Sequence, residues 1–244
     1  MLRPLVRTSS PALIPRGVRR RALAVALAAG AVFLVLAARY AGGSDPRWFD
    51  DHARDVLTDV TPRSRALRML LELGSPASVV TIAVVVALLC LWMRRPRAAA
   101  LALLGPGITG LVTTFTKPLI GRTLRGEYAY PSGHTGGATS TALVLAILAV
   151  LVLRPDPRRA LAIVLAVGAA AAAMFAVLVV VANWHYATDA IGGACVALAA
   201  VLGTALAIDA VADRWTGRAP DPPGQGAGPA SLPGTAPGRG RPAS

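Results

Sequence analysis

Asn183-Trp184-His185-Tyr186-Ala187-Thr188-Asp189 sits between an apolar run at 160–182 and another at 190–208, and Tyr130-Pro131-Ser132-Gly133-His134 opens the run at 136–153. The chain has three histidines, and two of them fall in these stretches. Imidazoles have little packing use at the ends of apolar runs in a chain that is 55% hydrophobic. The two stretches therefore mark both where spans end and where chemistry is expected.

Outward from them, the chain reads as an all-α membrane protein. Charged residues make up 15% of its 244 and its mean hydropathy is +0.57. Four more apolar runs, at 22–40, 77–93, 98–116 and 136–153, join those at 160–182 and 190–208. Each approaches the length needed for a hydrocarbon layer of about 30 Å. The expectation is a six-transmembrane-helix bundle over 22–210, preceded by a basic segment 1–21 and followed by a disordered tail 211–244. From Gly217 onward that tail carries seven Pro and seven Gly. A basic n-region before the first run also suits a signal peptide, but about nineteen apolar residues favour an uncleaved helix. Cys90 and Cys195 lie inside runs and suit apolar packing, not a disulfide.

The net charge of +13 is placed for membrane topology, not for nucleic acid. Arg3, Arg7, Arg16, Arg19, Arg20 and Arg21 precede the first run, Arg94, Arg95 and Arg97 follow the second, and Arg154, Arg158 and Arg159 follow the fourth. These alternate connections belong to the cytoplasm under the positive-inside rule, so both termini are expected inside. The 42–74 connection has five Arg against six acids and suits the outer side. It reads as two short interfacial helices, one started by Asp45-Pro46 and one by Thr61-Pro62, with Gly74 ending the second. Ser75-Pro76 and Asp156-Pro157 punctuate later spans in the same way, and Gly105-Pro106-Gly107, a pattern that can kink or loosen a helix, reads in the third as simple tolerance of Gly and Pro.

On this topology the outer face collects Lys117 and Arg122, then Ser132, Gly133 and His134, then His185 and Asp189. Asp189, one helical turn after His185, suits a carboxylate that fixes the tautomer of the imidazole, although Thr188 or Asp189 also suits a helix cap. Ser132 is a candidate N-cap, and a helix start with Gly133 binds phosphate through free N–H groups. His134 suits a general acid. Lys117 is the only lysine among 25 basic residues and, with Arg122 and more weakly Arg125, suits phosphoryl oxygens. Two His, one Asp and several cations make a poor metal cage and a good anion site. His52, beside Asp50, Asp51 and Asp55, reads as a solvated helix residue.

These residues resemble the type 2 phosphatidic acid phosphatase (PAP2) superfamily, whose motifs are KxxxxxxRP, PSGH and SRxxxxxHxxxD, over about residues 75–210. The resemblance implies a phosphatase without metal or cofactor, acting on a lipid phosphate or diphosphate. His185 would form a phosphohistidine, Asp189 would orient it, and His134 would protonate the leaving group. Lys117, Ser132 and Gly133 would hold the phosphate. Two positions depart from the pattern. The first motif's Arg-Pro falls at Leu124-Arg125, flanked by Arg122, and the third motif's Ser-Arg falls at Leu178-Val179.

Undecaprenyl or decaprenyl diphosphate, phosphatidic acid and phosphatidylglycerol phosphate are all compatible substrates. A phosphotransferase using the same histidine is an alternative, and a non-catalytic lipid-phosphate binder is another. A transporter is disfavoured, because the spans lack internal symmetry and other evident buried charges. Partners are membrane lipids and the substrate, and the oligomeric state stays open.

Overall fold

The computed structural model describes residues 11–60 and 65–215. A 3-10 turn at Arg16–Val18 leads into α1 (Arg19–Tyr40). Two short helices follow, α2 (Trp48–Val60) and α3 (Arg65–Glu72), then α4 (Pro76–Trp92) and α5 (Pro96–Ile120). A hairpin of β1 (Thr123–Leu124) and β2 (Glu127–Tyr128) precedes α6 (Gly133–Leu153), α7 (Pro157–Val181) and α8 (Ala187–Trp215).

Five helices, α1 with its leading turn, α5, α6, α7 and α8, are long and apolar enough to cross a membrane. The 17 residues of α4 rise only about 26 Å at the helical repeat. Together with α3, to which it joins at a bend of 51°, α4 qualifies as the sixth crossing. The bend leaves α3 a short helix of its own beside the start of α4.

Local chemistry sets most helix ends. The Ser75 hydroxyl accepts from Ser78 N at 3.3 Å, and the Asp156 carboxylate accepts from Arg158 N and Arg159 N at 3.1 Å, each with proline at the first helical position. Gly121, at φ 68°, closes α5 in the left-handed conformation. Two boundaries differ from the sequence reading. α2 begins at Trp48, two residues beyond the Asp45-Pro46 signal, while Thr61-Pro62 lies outside the described residues. And α8 runs to Trp215, so residues 211–215, expected in the tail, are helical. Gly105-Pro106-Gly107 is tolerated inside one continuous helix, as the sequence reading favoured.

α8 packs against α1, α5 and α6, and α6 packs against α7. Leu101, Leu143, Ile147, Val201 and Leu202 are fully enclosed between them. At the arginine-rich end of the bundle, the late turns of α8 hold an acid that the sequence reading did not register. Asp209 is fully buried and accepts from Leu13 N and Ile14 N at 2.9 Å and from Arg97 at 3.3 Å. Arg19 stands 3.3 Å from it and 2.8 Å from Asp213. The spans therefore do carry a second buried charge cluster.

Candidate active site

The site forms at the opposite end, where α5, the hairpin, the start of α6 and the α7–α8 turn meet. Arg125 and Gly126 occupy the hairpin turn with φ of 57° and 87°, both positive as a type I′ turn requires. This aims Arg125 into solvent and brings the chain back to Ser132. The Ser132 hydroxyl accepts from Thr135 N at 3.3 Å and so caps α6, as its position in the sequence implied. Ser132 N in turn donates to the Asp189 carbonyl at 2.9 Å, which ties the start of α6 to α8. The contact needs a glycine opposite it, since a Cβ on Gly193 would overlap the Ser132 carbonyl.

His185 lies in the turn before α8, buried, with its backbone N–H directed at the Val179 carbonyl. The residue at the third-motif arginine position is thus Val179, fully enclosed in an apolar cluster with Phe175 and Leu178. Asp189 occupies the third position of α8, not its cap. Its Oδ2 accepts from Tyr186 N at 2.8 Å, the return half of a capping box. Its Oδ1 accepts from Arg122 at 2.5 Å. The imidazole Nδ1 of His185 stands 3.7 Å from Oδ2 and has no hydrogen-bond partner. Asp189 faces the histidine as expected, but its lone pairs serve other donors first.

Arg122 does not occupy the position the sequence suggested for it. The guanidinium is fully buried and stacked between the rings of Tyr40 and Tyr186, 4.1 Å from each centroid. It bonds Thr188 at 2.6 Å, Asp189 at 2.5 Å and, from its other terminal nitrogen, Asp50 at 2.6 Å. An arginine with both ends held by carboxylates is a poor receptor for a phosphate. Burial pushes the phenols of Tyr130 and Tyr186 up from the usual tyrosine range, so both stay donors. They bond the Phe33 and Ser44 carbonyls, each at 2.8 Å.

Asp50 is the residue that sequence reasoning missed. It is 2% exposed and, besides Arg122, accepts from Thr188 N at 2.9 Å. A signal was present: Asp50 shares a helix face with Ala53 and Leu57, which pack against α7. A carboxylate on an apolar face needs a buried partner.

Lys117, Gly133 and His134 line the head of a cavity of about 670 Å³. Its walls are α4 and α5, with Val79, Val80, Leu111 and Phe115 among the apolar lining. Lys117 and His134 are each half-buried, and His185, Lys117 and Glu72 lie within electrostatic reach of His134. The indole of Trp184, half exposed, tilts against His134 at 5.1 Å between ring centroids. So Lys117, Gly133, His134, His185 and Asp189 come together, while Arg122 supports them from behind and Arg125 stays exposed.

A model of the PAP2 superfamily matches residues 21–212. The chain belongs to the PAP2 superfamily. It is a multi-pass membrane protein of a phosphatase family. Among solved structures it resembles the first transmembrane PAP2 type phosphatidylglycerolphosphate phosphatase from Bacillus subtilis, with a TM-score of 0.58 and 18% identity. The match covers 80% of this chain and 98% of that one. At that identity the likeness establishes the fold. No curated protein matches the chain in sequence.

Proposed function

We propose that this protein hydrolyses a lipid phosphate or diphosphate, at the membrane face opposite its arginine-rich connections, through a phosphohistidine. The observation that carries the reading is the cavity beside α4 and α5. It is apolar along its length and ends at Lys117, Gly133 and His134. That combination suits a substrate with a hydrocarbon tail and an anionic head. The structural neighbour, a phosphatidylglycerolphosphate phosphatase, is named for a substrate of the same class.

The chemistry follows from the residues. Lys117 and the free N–H groups at the start of α6 hold the non-bridging phosphoryl oxygens. With Nδ1 turned to Asp189, the other ring nitrogen of His185 attacks phosphorus. The N–P bond forms as the P–O bond to the lipid, or to its terminal diphosphate bridge, breaks. His134 donates a proton to the departing oxygen. Water then attacks the phosphohistidine, His134 takes up a proton from it, and inorganic phosphate leaves with His185 restored.

The test is phosphate release in detergent with a chelator present, from phosphatidic acid, phosphatidylglycerol phosphate and undecaprenyl diphosphate, by wild type and His185→Ala. Release that depends on His185 is expected. Equal release by the variant overturns the nucleophile, and silence from folded wild type across all three overturns the hydrolase.

A further inference from the structure

Asp50 lies outside every motif considered above, yet it is the most enclosed acid of the 42–74 connection. Both its oxygens are used. Oδ2 accepts from Arg122 at 2.6 Å, and Oδ1 accepts from Thr188 N and the Thr188 hydroxyl at 2.9 Å. Thr188 N is a first-turn donor of α8 without an intrahelical partner. Asp50 therefore caps, from another helix, the very turn that carries His185 and Asp189. At the same time it splits the charge of Arg122, so that one guanidinium faces two carboxylates.

We propose that Asp50 is a positioning residue of the histidine site, which keeps the negative charge of Asp189 available to His185. The physical argument is a count of formal charges in a buried cluster. With Asp50 present, Asp50, Arg122 and Asp189 sum to one negative charge beside the imidazole. Without it, Arg122 neutralises Asp189 and the cluster sums to zero. His185 Nδ1 stands 3.7 Å from Asp189 with no other partner, so that residual charge is what it meets. A carboxylate charge at this distance favours the imidazole turned with Nδ1 toward it, which is the orientation the attacking nitrogen needs.

Other charged groups face the site from the remaining elements. Lys117 comes from α5, His134 from α6, Glu72 from α3 and Glu127 from β2, while Arg54 of α2 reaches Tyr186. None of these bonds Asp189 or Thr188 among the described contacts. The charge that Asp50 supplies therefore has no substitute on Arg122.

The inference rests on the phosphohistidine reading, and its test separates the two. Asp50→Asn keeps the shape but removes the charge and one of the two acceptors, so its structural cost is separated from the loss of charge by the readouts below. Two readouts are taken from monodisperse protein in detergent. One is the pH profile of phosphate release from phosphatidic acid. The other is the pH profile of His185 modification by diethylpyrocarbonate, read by peptide mass spectrometry, which needs no substrate. For Asp50→Asn we expect kcat to fall about tenfold or more with KM changed less, the scale on which outer partners of a working histidine act. Both profiles should differ from those of wild type, because the imidazole then faces one negative charge fewer, a change that loss of a cap alone would not make. Asp50→Glu, which restores the charge at imperfect geometry, should recover part of the rate and return both profiles toward wild type.

Lower yield of Asp50→Asn with unchanged profiles in the folded fraction would make Asp50 a helix cap only and overturn the proposal. Should wild type show no His185-dependent release while the modification profile still shifts, the hydrolase reading fails and the role of Asp50 stands.

Discussion

α8 carries a buried carboxylate at each end, and the two are used differently. Asp189 and Asp209 are twenty residues apart, about 30 Å along a helix and so about one hydrocarbon thickness. Each is fully buried and each bonds arginine. At the basic end, Asp209 takes two backbone N–H groups of the N-terminal segment as well as Arg97, and the cavity of about 310 Å³ lined by Leu13 and Ile14 holds no histidine among its described lining residues. The one nitrogen of Arg19 lacking hydrogen-bond geometry still lies 3.3 Å from Asp209. At the histidine end, His185 Nδ1 and Arg122 Nε remain without partners, and a cavity with Lys117 and His134 lies alongside. Nearly every buried polar group in a folded protein is paired. An ionic cluster that closes on itself is a clamp, whereas one with a spare imidazole beside a cavity has work to do.

The sharpest way to break this contrast is to remove the central group of each end. His185→Ala should cut phosphate release by about a thousandfold or more, as loss of a nucleophile does, with the protein still folded. Asp209→Ala should do the reverse. It strands two N–H groups, leaves Arg97 only Asp213 at 3.8 Å, and should cost about 3–5 kcal/mol, the range for breaking a buried ion pair. Unfolding in mixed detergent micelles measures that, and the activity per folded molecule should stay unchanged. If Asp209→Ala instead abolished turnover in folded protein, the two ends would be coupled and the contrast would fail.

Smaller changes sharpen it. Lys117→Met should lower kcat/KM about a hundredfold, the loss expected for one charge-stabilising donor, without a stability change at the basic end. Gly193→Ala sets a methyl against the Ser132 carbonyl and should cost about 1–3 kcal/mol, typical of overpacking. Thermal unfolding reads the cost, and turnover should fall too, because the start of α6 moves with it. At the foot of the scale, Arg159→Gln removes an ion pair to Asp156 in which Arg159 is 82% exposed. Its effect on unfolding should stay within about 0.5 kcal/mol, as for surface pairs generally.

Much of this was legible from residues alone. The PSGH stretch announced a helix cap, because Ser132 acts on the N–H three residues on. Ser75-Pro76 and Asp156-Pro157 were readable for the same reason, since a cap and its helix are neighbours in sequence. Arg122 was legible as a residue near the site but not in its role. Its partners Asp50 and Asp189 lie 72 and 67 positions away on opposite sides in sequence, and no local pattern states which carboxylate a guanidinium will meet. The Arg125-Gly126 hairpin lacked the usual Asn-Gly or Asp-Gly signal and was not anticipated.

What the sequence by itself determined is the membrane class, the spans, and the identity of the groups that lie together at one face. Those follow from hydropathy, alternating arginine and helix periodicity, all of which act over a few residues or across one bilayer. Only the tertiary structure decided how the charges pair. Arg122 is held behind the site by Asp50, and Asp209 by a segment nearly two hundred residues earlier in the chain. A buried charge takes whichever partner the packing of distant helices brings within bonding distance, and that choice is written in no single stretch of the chain.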